Sequence, residues 1–388
     1  MTSTKQTVAT KIAEDEKLLV GLIINPIAGV GGRIGLKGSD NAKEIWEKLN
    51  SGEGKKVSQD RTKRFLKIIS DLKEQIYFLT FNAEMGEDVL KELDFDFEIV
   101  GKSLEEKPSR EDTKIAAKEF LKRGVKLIVF IGGDGTACDI FDAVQEKVPL
   151  LAVPSGVKMH SACFALNPEI AGMILKQFHG GELNLTQSEV MDIDEEAFRA
   201  GRLSAELKGM VSIPYLRAAF QGGKMASPSS FDEKHDQMVI AERVNDDMIR
   251  DTLYLLGSGS TCKAVADYLK LEKTLLGVDA IYNRTLIAKD LNEKQTLDLL
   301  EQYPKAKIIV TVIGNQGFVF GRGNQQLSPL VIKKVGTDNI ILIATVSKLE
   351  KTEKLRVDTG DLELDKELQG FIRVVTSYHE DILMRIEE

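Results

Sequence analysis

Short runs of Val, Ile and Leu recur through the first half of the chain, separated by stretches in which apolar residues return at helical intervals. Leu18–Ile24, Gln75–Phe81, Phe97–Gly101, Val125–Ile131 and Leu150–Val153 read as strands. Asp112–Arg123 reads as a helix, because Ile115, Ala116, Phe120 and Leu121 share one face. Strands rich in branched apolar residues that alternate with helices imply a parallel sheet covered on both sides. Ligands of such sheets sit at the carboxyl ends of strands, which is where Asn25 and residues 132–136 fall.

From about Leu183 the helical periodicity fades. Gly209–Ile213, Gln237–Arg243, Ile308–Ile313 and Ile340–Val346 read as short strands between Gly, Asn and Asp turns, and Phe371–Ile386 as a closing helix. Ser51–Arg64, rich in Gly, Lys and Gln, is expected as a mobile surface loop. At 388 residues the chain exceeds one ordinary core. The expected organisation is an N-terminal extension over 1–17, an α/β domain with a parallel sheet over 18–183, a mainly β domain over 184–350, and a tail over 351–388 that packs back on the first domain.

Charge narrows the partners. A net charge of −8 argues against nucleic acid and anionic membranes, which call for a basic surface. Glycine loops still bind phosphate through neutral N–H groups. The first twenty residues lack a signal-peptide core, and runs such as Leu18–Ile24 are too short to span a bilayer. Cys138, Cys163 and Cys262 lie far apart, which suits a reducing compartment, and the four histidines form no metal-binding pair. The chain is expected to be cytoplasmic.

The candidate chemistry begins where Val125–Ile131 ends. Gly132, Gly133 and Gly135 surround Asp134, Thr136 follows, and a helix-like stretch runs on to Val144. Glycine lets the main chain turn sharply and approach a ligand without a Cβ in the way. The start of the next helix offers N–H groups to anionic oxygens. A carboxylate there can take a proton or organise a metal ion; an Asp bonded to its own turn is the plainer alternative. The stretch after the first strand, with Asn25, Gly29, Gly31 and Gly32, is either a second phosphate contact or a flexible turn. It matches neither the G-x-G-x-x-G fingerprint nor the Walker A order. Gly259, Ser260 and Thr261 follow the apolar run Leu253–Leu256, where hydroxyls either cap a helix or hold a ligand. Gly156 and Lys158 follow Leu150–Val153, and an ammonium there could pair with a phosphate or stay solvated. Asp279 is either a cleft residue or a buried cap, and Cys138 is better read as core than as nucleophile.

Taken in order, Asn25–Asp40, Gly132–Thr136 and Leu256–Thr261 resemble the motifs of the ATP-NAD kinase superfamily, in the branch grouped with acetoin-catabolism protein X. The third is similar to the Thr-Gly-Ser-Thr-Ala-Tyr motif of NAD kinases. The likeness covers roughly Leu18 to Ile281. Two departures stand out. Residues 154–161 carry neither the Gly-x-Asn-x-Gly pattern of NAD kinases nor the Gly-Thr-Gly-Asn-Asp of lipid kinases. The Asn-Glu or Asn-Asp pair of NAD kinases has its nearest counterparts in Ala241–Arg243 and Val244–Asp246.

The resemblance implies an α/β nucleotide-binding domain, a mainly β acceptor-binding domain, and phosphoryl transfer from ATP or polyphosphate to a hydroxyl of NAD or a related nucleotide-like metabolite. Asp134 would assist deprotonation of the acceptor ribose hydroxyl. Asn25, Gly29, Gly31, Gly32, Gly132, Gly133, Gly135 and Thr136 would hold nucleotide phosphates, and Gly156, Lys158, Gly259, Ser260, Thr261 and Asp279 the acceptor. Mg2+ would ride on the substrate phosphates, without a protein metal site, and a homo-oligomer is implied. Two alternatives share the glycine motifs: a lipid or diacylglycerol-type kinase, and a nucleotide sensor that has lost the chemistry.

Overall fold

The structure, a computed structural model, describes residues 17–34, 42–52, 55–105, 107–156, 159–193, 205–216, 220, 231–313, 317–352 and 354–387. These fall into two compact units. The first holds the described residues up to Val30 and from 42 to 220; the second holds residues 31–34 and those from 231 onward. None of the described helices is long and apolar enough to cross a membrane.

In the first unit, β1 (Leu18–Ile24), β2 (Ile76–Thr80), β3 (Phe97–Ile99), β4 (Leu127–Gly132) and β5 (Leu150–Pro154) make a five-stranded sheet in the order β3-β2-β1-β4-β5. Every pairing is parallel. The sheet grows outward from β1 to β3, then resumes on the other side of β1 with β4. The carboxyl ends of β1 and β4 therefore flank the point where strand order reverses, the usual crevice of such sheets. Leu18, Val20, Leu22 and Ile24 of β1 face one core with Phe65 and Leu66 of the Val57–Ile68 helix and Ile174 and Leu175 of the Pro168–His179 helix. Ile23 faces the other, with Phe120 of the Arg110–Arg123 helix and Ile140 of the Asp134–Val144 helix. A Cβ on Gly21 would sit 2.3 Å from the Phe120 ring, so this glycine lets the ring lie flat on the strand. The Arg110–Arg123 helix begins in a capping box between Ser109 and Asp112 and ends at Gly124 in the left-handed region.

The antiparallel hairpin of β6 (Asn184–Ile193) and β7 (Ala205–Tyr215) belongs to this first unit, so the division expected at 183 falls after residue 220. Val190, Val211 and Ile213 of the hairpin are buried beside Phe164 and Ile140, and this apolar contact decides its allegiance.

The second unit is built on a mixed seven-stranded sheet. Its strands are β8 (Leu253–Leu256), β9 (Asp279–Tyr282), β10 (Thr285–Ala288), β11 (Ala306–Thr311), β13 (Ile340–Ile343), β15 (Gly370–Val375) and β16 (Asp381–Ile386), in the order β10-β9-β8-β11-β13-β15-β16. The central run from β8 to β15 is parallel, and both edges are antiparallel. Helices cover both faces. Leu300 and Ile332 lie over one core; Ile240, Ala241, Val244 and Val265 lie over the other.

Four expectations are corrected here. Gln237–Arg243 lies inside the Phe231–Asp246 helix, because Ile240, Ala241 and Val244 reach the core at helical spacing. Phe371–Ile386 is a β-hairpin, with Ile372 and Val374 inward and Phe371 and Arg373 outward in strand alternation. The segment over 351–388 does not pack back as a tail: it supplies β14 (Arg356–Val357), β15 and β16 to the sheets of the second unit. Most of the expected loop at Ser51–Arg64 is helix from Val57, anchored by buried Ser58, Arg61 and Thr62.

A short parallel pair, β12 (Phe318–Phe320) with β14, brings Arg322 against Asp358 at 2.6 Å, both almost fully buried. The Arg322 guanidinium also stacks 4.7 Å from the Phe318 ring. Removing one partner of a buried pair strands the other charge. Asp358→Ala is expected to destabilise the protein by about 3–5 kcal/mol, and the Arg322→Met/Asp358→Ala double variant by less, as read from urea midpoints.

Candidate functional site

In the first unit three strand ends are tied together around Gly132. After β1, the Asn25 N–H donates to the Ile131 carbonyl at 3.0 Å, and its side-chain amide donates to Thr136 Oγ1 at 3.0 Å. After β5, the N–H groups of Ser155 and Gly156 both donate to the Gly132 carbonyl, at 2.9 and 3.1 Å. Gly29, at φ +83°, passes so close to Ser155 that a Cβ would lie 2.2 Å from its carbonyl oxygen. Asn25, Gly29, Gly132, Thr136 and Gly156 are thus brought into one cluster. Gly31 and Gly32 are buried in a single helical turn, Val30–Arg33. Lys158 lies outside the described residues.

Asp134 opens the helix Asp134–Val144, whose N-cap, Gly133, supplies no side chain. Its carboxylate is only 5% exposed. Oδ2 accepts the His160 N–H at 2.7 Å and faces the His160 ring nitrogen at 3.3 Å. Oδ1 accepts the Ser161 N–H at 2.9 Å and its hydroxyl at 2.7 Å. Ser161 Oγ in turn accepts the Met191 N–H at 2.9 Å, which extends the network into the β6–β7 hairpin. The carboxylate is therefore a fixed anion that clamps residues 160–161 to the helix start.

The two glycines beside it differ. A Cβ at Gly132 would lie 2.5 Å from Thr136 Oγ1, so this glycine serves the tight strand-to-helix turn. Gly135 is exposed, and among the described residues beyond its own helix no heavy atom lies within 4 Å of the Cβ position. A helix start without a side-chain cap, open at Gly135, is the arrangement that receives an anionic oxygen. Cys138 plays no nucleophilic part: burial, with Asp192 and Asp134 nearby, pushes its thiol up to about 12.

The second unit repeats the strand–glycine–helix device at β8. Gly257 N–H donates to the Ile309 carbonyl and Gly259 N–H to the Leu275 carbonyl, both at 2.8 Å. Gly259 takes φ +110° before the Ser260–Tyr268 helix, again without a side-chain cap. Ser260 Oγ accepts from the Gln237 amide at 3.1 Å. Thr261 is 1% exposed, and among the described residues its hydroxyl has no hydrogen-bond partner, so neither hydroxyl serves as the N-cap. Asp279 is a buried cap. Its carboxylate is 0% exposed and accepts from the Thr274 N–H, the Thr274 hydroxyl and the Asp290 N–H. It pins two loops, the buried-cap alternative that the sequence left open for it. Lys273, beside it, donates to the Thr274 and Gly277 carbonyls, and burial lowers its pKa against the opposing pull of Asp279.

Two neighbours of the Gly259 turn escaped the sequence argument. Thr311, at the carboxyl end of β11, has its Cγ2 only 2.8 Å from where a Cβ on Gly259 would be, and its hydroxyl lies 3.3 Å from the Lys348 ammonium. The segment Gly321–Gln326 packs on the same turn, with the Ser258 hydroxyl donating to the Gly323 carbonyl at 2.9 Å. Gly323, which lies beside Ser258, was the legible sign of that close packing; nothing in the local sequence marks Lys348.

A parallel sheet with a glycine turn and an open helix start at its order reversal is thus joined in the chain to a second, mixed sheet. The chain belongs to the ATP-NAD kinase superfamily: the ATP-NAD kinase N-terminal domain matches residues 20–183 and the ATP-NAD kinase C-terminal domain residues 249–386. No curated protein and no solved structure matches it.

The Gly132→Ala variant is expected to lose about 1–3 kcal/mol through overpacking against Thr136. Gly135→Ala is expected to keep or slightly raise the melting temperature, since alanine favours the helix and meets no neighbour. Differential scanning calorimetry of the two variants checks the contrast.

Proposed function

We propose that the protein transfers a phosphoryl group from ATP or polyphosphate to a hydroxyl of NAD or a related nucleotide-like metabolite, in the cytoplasm. The observation that carries this reading is the uncapped helix start at Gly133–Gly135, open to an anion at the carboxyl edge of β4, in a chain of this superfamily. The glycine turns after β1 and β4 bind the nucleotide phosphates. Ser260 and Thr261 hold the acceptor, and Lys158 pairs with a substrate phosphate as a point charge. The free hydroxyl of buried Thr261 supports its part in this.

Asp134 acts mainly by position. Of its four contacts the one to the His160 ring is the longest, so Oδ2 is the oxygen free to exchange that contact for an acceptor hydroxyl and take its proton. Such assistance contributes about 10²–10⁴ in rate, and alignment with neutralisation of phosphate charge supplies the larger share. Among the described residues no group of three His, Cys, Asp or Glu side chains could hold a metal ion, and the Asp134 oxygens are already engaged. Mg2+ would ride on the donor phosphates, as the family resemblance implies. The same satisfied carboxylate favours a second reading, a sensor that binds nucleotide without turnover.

Incubation with γ-labelled ATP and NAD is expected to yield labelled NADP. Asp134→Asn should lower turnover by about 10²–10⁴, though its amide also meets an N–H donor and reduces stability. Gly135→Ala is the cleaner probe: nucleotide affinity is expected to fall about tenfold, or 1.4 kcal/mol, with the fold intact. Thermal stabilisation by NAD and ATP without labelled product would establish the sensor instead. Label confined to a diacylglycerol acceptor would move the protein to the lipid kinases.

A further inference from the structure

The residues just before β8 and the turn between β9 and β10 enclose a pocket of about 430 Å³, whose lining includes Ile249, Arg250, Asp251, Tyr254, Asn283 and Arg284. That volume suits a small-molecule ligand. The pocket lies at the start of β8, whereas the Gly259 turn follows its end, so the two are separate places in the second unit.

Three of these residues hold left-handed backbone: Asp251 at φ +57°, Asn283 at φ +48° and Arg284 at φ +62°. Asn283 and Arg284 form the two-residue turn between the paired Tyr282 and Thr285. Glycine is favoured at the second position of such a turn, and an arginine there is strained. Strain of this kind gathers where a ligand needs the side chain. Arg284 Nη2 donates to the Asn245 carbonyl at 2.8 Å, which steadies the guanidinium on the Phe231–Asp246 helix. Among the described residues this is the only side-chain bond of Arg284, and Arg250 makes no side-chain hydrogen bond or ion pair. The acids at the end of that helix are engaged elsewhere: Asp247 pairs with Arg243 at 2.6 Å, and Asp246 accepts the Tyr378 hydroxyl at 2.8 Å.

Tyr254, buried, accepts the Ile249 N–H at 2.9 Å and keeps its own O–H to donate. Burial raises the pKa of that hydroxyl, so it stays protonated. Asp251 Oδ1 accepts the Asn283 amide at 3.1 Å and the Tyr282 hydroxyl at 3.2 Å, while Oδ2 accepts nothing among the described residues. Two guanidiniums and a phenol donor suit phosphate oxygens. The open carboxylate oxygen repels a bare phosphate but accepts from a hydroxyl, the contact by which an acid holds a ribose.

We propose that this pocket binds a small phosphorylated sugar, free or within a ribonucleotide, with Arg250, Arg284 and Tyr254 on the phosphate and Asp251 on a sugar hydroxyl. The inference stands apart from the phosphoryl transfer proposed above.

Isothermal titration calorimetry of the full chain with ribose 5-phosphate, AMP and inorganic phosphate tests it. At least one of the two esters is expected to bind with a Kd below about 1 mM, and inorganic phosphate at least about tenfold more weakly. Arg250→Ser and Arg284→Gly are each expected to weaken that ester at least about tenfold, with folding verified by circular dichroism, since glycine suits the turn and Arg250 holds no other part of the chain. Gly135→Ala, in the first unit, is expected to leave this binding unchanged. Of the binding that Arg250→Ser removes, a stronger signal from AMP identifies a ribonucleotide ligand, and one as strong from ribose 5-phosphate a free sugar phosphate. Failure of both esters to bind, binding that survives both arginine variants or is lost in Gly135→Ala, or inorganic phosphate binding as tightly as the better ester overturns the proposal.

Discussion

The carboxylate of Asp134 sits almost out of water at the start of a helix, held by donors from His160 and Ser161. A buried anion is tolerable only when its oxygens are hydrogen-bonded, and the positive end of the helix dipole adds to its stability. Satisfying that one charge has consequences around it. Residues 160–161 must come back to the helix start, and the chain leaving β5 must turn at Ser155 and Gly156, whose N–H groups close on the Gly132 carbonyl. The loop after β1 must then pass under Ser155, which only a glycine at position 29 allows. Three strand ends become one rigid floor, and the opening left in it is the exposed edge at Gly135.

The second unit uses buried charge in the same manner. Asp279 gathers the Thr274 and Asp290 main chain, and Arg322 with Asp358 locks the short β12–β14 pair under the Gly321–Gln326 segment. In each case an ionised side chain fixes loops at the ends of strands, where backbone groups would otherwise lack partners. These charges act through the loops they order.

Several of these features were legible from residue pattern. Val125–Ile131 and Leu18–Ile24 carry apolar residues at nearly every position, and only a strand covered on both faces buries them all. The glycines around Asp134 marked a tight strand-to-helix turn: without a Cβ the backbone at Gly132 can close on Thr136. Where one apolar run served two periodicities, pattern failed. Residues 237–243 fit a short strand until the packing of Ile240, Ala241 and Val244 decides for a helix. Phe371–Ile386 looked helical because the alternation that makes it a hairpin is interrupted by the Thr376–Glu380 turn.

Local sequence by itself determined the parallel sheet of the first unit, the two glycine turns and the candidate anion site at Gly132–Thr136, because burial periodicity and the missing Cβ are properties of neighbouring residues. Only the tertiary structure decided that Asp134 is clamped by His160 and Ser161, that Asp279 is a loop pin, and that Lys348 reaches Thr311 beside the Gly259 turn. Those outcomes depend on contacts between residues separated by 26, 27, 5 and 37 positions. Whether a polar side chain is a cap, a clamp or a ligand contact is set by which donors the folded chain brings within about 3 Å, and no local pattern encodes that.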